Sequence, residues 1–333
     1  MTGPTNPLPP EEALRARALL ASWPLGEVLR LQAVPGGATN RVYRVETATR
    51  SAFLRVYKRA DRALAEREHA LIAQVRAQGL PAVAVIAARS GGTVVEHAGS
   101  VAALYEPAAG VQLRGAELSP EQISSAGALL ARLHRALAPL HDAGYLHWTL
   151  SWDGPAWVER LNVVERVIVA RGLAGNESAN ETDRWALERL RAQRQWLASA
   201  ECVHRYQPRF PAQVVHGDFQ DANLFFAGEQ VSALIDWEQA AFMPRAYEVA
   251  RACGFMFRLR PEPTLHFLRA YASANALEPQ ALEDGARAWG CFADHHVWPL
   301  EELYLHGNEA ARRYIPHAPF RPFEQAWAEL GLQ

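Results

Sequence analysis

The feature that most constrains the fold is a polar loop between two short apolar runs. The loop contains Asp218 and Asn223, which are five positions apart, and the second apolar run ends at Asp236. Such short runs are typical of β-strands, so we expect a strand on each side of the loop. The loop would then bring two carboxylates and an amide to one site. The alternative is that Asp218 caps a turn, Asn223 lies in an ordinary loop and Asp236 only ends a strand.

These residue types and this spacing fit phosphoryl transfer. The reaction needs little covalent chemistry from the protein, so its catalysts position the attacking hydroxyl and hold magnesium against the phosphates. A carboxylate near the hydroxyl and hard oxygen ligands for the metal meet both needs. Asp218 and Asn223 have the spacing of the kinase catalytic loop H-R-D-x-x-x-x-N, and Asp236 ends a short apolar strand as the aspartate of D-F-G does.

The motif around Asp218 reads H-G-D-x-x-x-x-N and the one around Asp236 reads I-D-W. Both resemble motifs of the aminoglycoside phosphotransferase and choline kinase family, and a weaker resemblance extends over residues 34–257. The resemblance implies ATP and Mg²⁺ as cofactors. It implies that Asp218 orients or deprotonates the acceptor hydroxyl and that Asn223 and Asp236 coordinate magnesium. We expect His216 to order the loop rather than to transfer a proton.

Periodicity and the resemblance together predict an α+β fold that is bilobal and protein-kinase-like. Strand-like runs cluster around one helical segment at 61–78, and the later part of the chain is mostly helical. The predicted organisation comprises a flexible tail at 1–10, a nucleotide-binding lobe of antiparallel strands plus one helix at 11–104, an inter-lobe linker at 105–110, and a larger helical catalytic and substrate lobe at 111–333.

Two further helix signals are local. An Ala/Leu/Arg-rich segment predicts a helix from Glu11 to Ser22. Ser119, Pro120 and Gln122 form the signature of a capped helix start, because Ser caps, Pro suits the first helical position and Gln can reach back.

Residues 36–40 form a candidate phosphate loop. Gly36 and Gly37 lie between strand signals, where their backbone amides can approach ATP phosphates, and Asn40 follows them. A simple Gly-Gly hairpin is the other interpretation.

The strand at 52–58 offers two cations for the α- and β-phosphates, Arg55 and Lys58. Strand alternation places Arg55 on the face of Phe53 and Tyr57, and Lys58 on the opposite face. Alignment with the V-A-I-K strand of kinases favours Arg55, whose planar fork can bind phosphate bidentately. Lys58 remains the alternative because it is the only lysine in the chain.

Acidic residues complete the predicted nucleotide site. Glu68 resembles the helix glutamate that pairs with the phosphate-binding cation, although glutamates are also ordinary on helix surfaces. Glu106 lies in the predicted linker, where backbone groups would meet the adenine. Glu248 stands where many family members have Asp, and we expect a structural role for it.

Composition excludes several other classes. The 34 Lys and Arg residues against 36 Asp and Glu provide no positive excess for nucleic acid or a membrane surface. The 3 cysteines are widely separated and have neither a CxxC nor a Cys/His ligand spacing, so a disulfide framework or zinc site is not expected. His295 and His296 lie among aromatic residues that we expect to form core. Without a signal-like or membrane-spanning apolar run, we expect a cytoplasmic protein; the sequence predicts no oligomeric state.

The predicted partner is a small molecule with a hydroxyl group, and the best candidate is a small amino alcohol such as homoserine. The alternatives are an aminoglycoside phosphotransferase, a Ser/Thr protein kinase and a nucleotide-binding regulatory pseudokinase. Aminoglycosides are polycations, so a site for them should be lined by many carboxylates. Residues 142–200 carry 8 acidic and 7 basic side chains, and residues 281–333 carry 8 acidic and 4 basic ones. Both segments are only mildly acidic, so we expect aminoglycosides to be poor substrates. Candidates for binding an amino acid's carboxylate and amine are Arg287, Arg312, Arg313, Glu301 and Glu302.

Overall fold

The computed structural model describes residues 8–34, 40–141, 144–173, 181–315 and 318–332. The strands are β1 (Val28–Ala33), β2 (Arg41–Thr47), β3 (Ser51–Val56), β4 (Val85–Ile86), β5 (Val94–His97), β6 (Ser100–Tyr105), β7 (Leu146–His147), β8 (Gln213–Val215), β9 (Leu224–Ala227), β10 (Gln230–Leu234) and β11 (Ala241–Met243). The α-helices are α1 (Pro10–Leu20), α2 (Arg62–Ala77), α3 (Pro120–Leu137), α4 (Gly154–Leu173), α5 (Glu181–Leu197), α6 (Arg245–Phe257), α7 (Pro261–Ala274), α8 (Pro279–Asp294), α9 (Trp298–Tyr304) and α10 (Phe323–Ala328). Short 3-10 helices cover Asp221–Asn223 and Glu309–Tyr314.

The chain divides into two compact units. Unit 1 comprises Met1–Pro139 and His216–Ala240, and unit 2 comprises Leu140–Val215 and Ala241–Gln333. Unit 1 therefore contains both the N-terminal sheet and the polar loop with Asp218. The lobe boundaries drawn from the sequence, with a linker at 105–110, stay a prediction.

The main sheet of unit 1 is antiparallel. Its strand order is β1-β2-β3-β6-β4, and β5 also pairs with β6. β1 is not among the predicted strands. It lies at the edge of the sheet and its residues are exposed or half-buried, so its sequence carries only a weak apolar signal.

The two faces of this sheet have different partners. Tyr43, Leu54 and Leu104 belong to a buried cluster with Leu20 of α1 and the nearby Trp23. The opposite face holds a second cluster, which contains Tyr57, Val94, Val101, Ala103 and, from α2, Ala65. Because side chains alternate along β3, Arg55 is directed to the face that α2 covers.

The helix starts follow the local sequence. α2 begins at Arg62 because the Asp61 side chain accepts a hydrogen bond from the Leu64 amide at 3.0 Å. At α3 the predicted capping box is confirmed, since Ser119 and Gln122 each bond the other's backbone amide.

A hairpin of β9 and β10 connects the polar loop, which ends at Asn223, to Asp236. Strand β9 follows the 3-10 helix at Asp221–Asn223 directly, and β10 ends two residues before Asp236. The Leu234 amide donates to the Pro81 carbonyl at 2.7 Å, and Val111 and Phe226 exchange backbone hydrogen bonds. The hairpin is thereby joined to other segments of unit 1.

Unit 2 combines a small sheet, in the order β7-β11-β8, with helices α4 to α10. One buried cluster of unit 2 joins Leu161 and Ile168 of α4, Leu190 of α5 and Leu303 of α9. Helices α6 and α8 approach closely at Gly285, where a Cβ atom would lie 2.4 Å from the Ala246 carbonyl carbon. Among the described residues, no helix combines the length and apolar character required to span a bilayer.

Candidate active site

Asp218 and Asn223 meet directly, as their spacing predicts. The Asn223 Nδ2 group donates to the Asp218 carboxylate at 2.7 Å and to its backbone carbonyl at 2.8 Å. Gln220 Nε2 lies 2.9 and 3.0 Å from the two carboxylate oxygens. Two amide side chains of the same loop thus fix the carboxylate, and Asn223 is itself buried.

His216 ties the loop to the second motif. Its Nδ1 atom accepts a hydrogen bond from the Asp218 amide at 3.2 Å, so its Nε2–H group donates to the Ile235 carbonyl at 3.1 Å. The fully buried ring also packs edge-on against Trp237. These contacts match the expectation that His216 orders the loop.

The backbone conformation and surroundings of Gly217 explain why this position, which is an arginine in the kinase motif, has no side chain. Its φ of +79° lies in the left-handed region, and a Cβ atom there would be only 1.8 Å from the Gln239 carbonyl oxygen. Side chains are therefore excluded both by the backbone conformation and by the close approach of the 236–240 segment.

We expect Gly217→Ala to lower the free energy of unfolding by about 2–5 kcal/mol, because left-handed strain and overpacking act together. Gly228→Ala is the matched control, since Gly228 also has a positive φ but no atom within 4 Å of its Cβ position. The control should lose only about 1–2 kcal/mol. Urea unfolding curves measure both values, and equal losses would contradict the steric explanation.

Asp236 occupies a sharp turn just beyond β10. Its φ of 64° is positive, a conformation that Asp tolerates better than most residues. One carboxylate oxygen lies 3.1 Å from Arg55 Nη2, and 43% of the side chain is exposed. Loss of hydration raises the pKa of Asp236; the Arg55 charge opposes this rise, and the negative charges of Asp218 and Glu238 add to it.

Arg55 joins three carboxylates. Its Nη1 contacts Glu68 at 2.9 Å, while its Nη2 contacts Asp236 at 3.1 Å and Glu238 at 2.5 Å. The side chain is 11% exposed. Burial lowers the pKa of Arg55, but the charges of Glu68 and Asp236 outweigh it and raise the value overall. Lys58 is exposed.

A buried polar network supports Glu68 from behind. Its carboxylate accepts hydrogen bonds from Arg55 and from the Tyr57 hydroxyl, which contacts the Tyr105 hydroxyl at 2.9 Å. His69 contacts both hydroxyl groups. Burial raises the pKa of Glu68 to about 7, although the Arg55 charge lowers it. The network fixes the glutamate that positions Arg55.

Glu238 is a site residue that the sequence analysis missed. Besides Arg55, its carboxylate accepts a hydrogen bond from Asn40 Nδ2 at 2.6 Å, and Asn40 Oδ1 accepts one from the Lys58 amide at 3.0 Å. Asn40, a predicted cofactor residue, is thereby linked through Glu238 to Arg55. The available signal was the position of Glu238 two residues after Asp236.

The remaining predicted residues are Gly36, Gly37, Glu106 and Glu248. Gly36 and Gly37 lie outside the described residues. Glu106 is exposed, and its amide donates to the Ala84 carbonyl at 2.9 Å. Glu248 is fully buried in α6, as a structural role requires.

The candidate acceptor residues of unit 2 already have partners. Arg160 bonds both carboxylate oxygens of Glu301, and Glu302 accepts from Asn308. Arg287 contacts Glu283, and Arg312 contacts Glu309. The Arg313 side chain lies outside the described residues. A substrate amine or carboxylate would have to compete with these contacts.

A family model described as "Phosphotransferase enzyme family" matches residues 30–289. The homoserine kinase of Xanthobacter autotrophicus is 28% identical over 234 residues, which cover 70% of this chain and 66% of that protein, just under two thirds of its length. The homoserine kinase of Methylobacterium nodulans is 28% identical over 282 residues, which cover 81% of this chain and 79% of that protein.

Solved structures show the same fold. A spectinomycin phosphotransferase in complex with ADP and spectinomycin matches with a TM-score of 0.68 and 14% identity, covering 96% of this chain and 98% of that one. An amicoumacin kinase in complex with AMP-PNP, Ca²⁺ and its ligand matches with a TM-score of 0.60 and 15% identity, covering 95% and 96%. This likeness confirms the predicted α+β, protein-kinase-like fold.

Proposed function

The chain belongs to the phosphotransferase enzyme family, and we propose that it transfers the γ-phosphoryl group of ATP to a hydroxyl group of a small molecule. The family match covers residues 30–289 of 333 and confirms the predicted enzyme class. The single observation that carries the proposal is the cluster in unit 1 in which Asn223 hydrogen-bonds the Asp218 carboxylate and Arg55 forms an ion pair with Asp236.

Asp218 is proposed to accept the hydroxyl proton or to orient the hydroxyl for attack. Gln220 and Asn223 donate to its carboxylate, so its oxygens have a fixed direction before substrate arrives. A carboxylate held in this way can bond a substrate hydroxyl without first being reordered.

The donor set of the same cluster fits a magnesium ion. The Asn223 Nδ2 group donates its hydrogen bonds to Asp218, so the Oδ1 atom is the one that can bind a cation. Asp236 adds a partly exposed carboxylate. Oxygen ligands of this kind suit Mg²⁺. When bound, Mg²⁺ would neutralise charge on the phosphates. Arg55 would contribute a second positive charge from a side chain whose direction Glu68 and Glu238 fix.

We expect Arg55→Ala to raise the KM for ATP and lower kcat, because the cation at the centre of the cluster is lost. Lys58→Ala is the matched control: it removes a positive charge three residues away that is exposed, and both constants should stay near wild type. Steady-state kinetics at varied ATP measures both variants. A larger effect at Lys58 would assign phosphate binding to the other cation.

For the acceptor we propose a small amino alcohol of the homoserine type. The support is that relatives spanning most of this chain are named homoserine kinase. The near balance of acidic and basic side chains in residues 142–200, with 8 and 7, agrees with a zwitterionic acceptor better than with a polycation.

A screen of ADP release tests the acceptor. Homoserine, choline, ethanolamine, simple sugars and aminoglycosides are compared at equal concentration with ATP and Mg²⁺, and each is ranked by kcat/KM. Homoserine should rank first and aminoglycosides should be poor substrates. A preference for aminoglycosides would overturn the acceptor proposal and leave the phosphotransferase proposal intact. Absence of turnover with every acceptor would instead favour a regulatory nucleotide-binding protein.

A further inference from the structure

A cluster of side chains that can bind a metal ion lies in unit 2, whereas the proposed phosphotransferase site lies in unit 1. One ligand atom each from Cys202, His204 and His295 lies within 4.8 Å of the other two. Cys202 and His295 are buried and His204 is half-buried. The three come from two segments about 90 positions apart, so the fold and not local spacing brings them together.

From this convergence we propose that Cys202, His204 and His295 bind a transition-metal ion, with Zn²⁺ as the best match. One thiolate and two imidazoles suit a borderline-soft cation, whereas Mg²⁺ and Ca²⁺ take oxygen ligands. Three protein ligands leave the fourth tetrahedral position for water.

The direction of the His295 ring supports this assignment. Its Nδ1 atom lies 2.7 Å from the Cys291 carbonyl, which can only accept, so Nδ1 carries the proton. The Nε2 lone pair is therefore directed at His204, whose Nδ1 lies 2.8 Å away. A histidine ligand whose other nitrogen donates to a carbonyl is the usual arrangement at protein metal sites.

The surrounding residues hold both rings in place. Trp152 stacks on the His295 ring at 4.6 Å, and the Trp157 indole donates to the His295 carbonyl. The His204 ring lies so close to Gly154 that a Cβ atom there would be 2.6 Å from Nε2. Ligands that are fixed before binding lose less conformational freedom on binding.

The two histidine nitrogens need only a small adjustment, from the present 2.8 Å. Two nitrogens bound to tetrahedral zinc at about 2.0–2.1 Å are roughly 3.3 Å apart, so the histidine rings would separate by about half an ångström. On binding, the His204 proton moves from Nδ1 to Nε2 and Cys202 loses its thiol proton, so one proton is released for each metal ion.

Local charge favours a cation at this position. His295 follows α8 directly, so the ligands lie beside the negative end of that helix dipole. The Asp294 carboxylate, one residue before His295, accepts hydrogen bonds from the Trp196 indole and the Phe323 amide.

The test uses the full-length untagged protein, reduced and stripped of metal by a chelator. Co²⁺ is titrated first, because a thiolate ligand gives a charge-transfer band and a tetrahedral site gives intense visible bands. We expect both signals to saturate at one Co²⁺ per chain, Zn²⁺ to displace Co²⁺, and Zn²⁺ to raise Tm in a concentration-dependent way. Absence of a thiolate band in wild type would overturn the proposal.

Variants locate the site. Cys202→Ser should abolish the charge-transfer band, and His204→Gln should weaken Zn²⁺ binding by more than the 10–100-fold that outer partners cost. Because His204 is half-buried, its variant remains informative even if Cys202→Ser does not fold. Cys253→Ser is the matched control: it removes another buried thiol but should keep the band. Asp236→Asn should also keep it, which separates this site from the nucleotide site. Retention of the band in Cys202→Ser would refute the assignment.

Discussion

Asp218→Asn is expected to lower kcat by about two to four powers of ten, the range that a positioned general base contributes. The substitution replaces one carboxylate oxygen with an NH₂ group, which can no longer accept the acceptor's proton. ATP affinity should change little, because the proposed role of Asp218 is toward the acceptor hydroxyl. Steady-state kinetics and nucleotide titration measure the two effects separately.

The loop offers a close control for this variant. Asp221 is three residues further on, and its carboxylate accepts hydrogen bonds from the Gly115 and Ala222 amides. Asp221→Asn perturbs the same loop without touching the proposed base, so its kcat should fall far less. Equal losses in both variants would indicate that loop order, and not a carboxylate at position 218, determines the rate. A wild-type rate in Asp218→Asn would remove the catalytic assignment altogether.

The contacts that sequence could predict are those fixed by local periodicity. Alternation along β3 put Arg55 on the face now covered by α2, periodicity predicted α2 itself, and the capping signature at Ser119 placed the start of α3. Asp218 and Asn223 lie in one short loop, so their meeting also follows from spacing. In each case the relevant residues lie within one element or on neighbouring ones.

Contacts that depend on an unusual backbone or on distant segments could not be predicted in this way. Beyond β10, the positive φ of Asp236 ends the strand-like alternation of side chains. The direction of Glu238 toward Arg55 and Asn40 therefore could not be predicted from that alternation. The cluster of Cys202, His204 and His295 joins the segment after α5 to the end of α8, and no local spacing encodes it.

Gly217 illustrates a third case, in which the sequence shows the change but not its cause. A glycine in place of the kinase arginine is visible in the motif, whereas the reason is the Gln239 carbonyl lying where a side chain would begin. That approach exists only because the turn at Asp236 brings residues 236–240 back against the loop.

Asp236→Asn is expected to weaken binding of Mg-ATP far more than binding of metal-free ATP. Asparagine keeps the positive φ of 64° at little cost, whereas alanine would add backbone strain. It also removes the negative charge that a magnesium ligand supplies, so most of the loss in affinity should appear only with the metal present. Calorimetry with Mg²⁺ and with a chelator gives the two affinities.

Glu238→Gln is the matched control, because Glu238 also contacts Arg55 but has no proposed role as a metal ligand. Both variants release Arg55 from one carboxylate. A loss of ATP affinity that acts through Arg55 should therefore appear in both variants, even when Mg²⁺ is absent. An effect on the metal should appear in Asp236→Asn alone. If Asp236→Asn weakened both forms of ATP equally, Asp236 would be a partner of Arg55 rather than a magnesium ligand, and the metal would have to be held by other groups of the cluster.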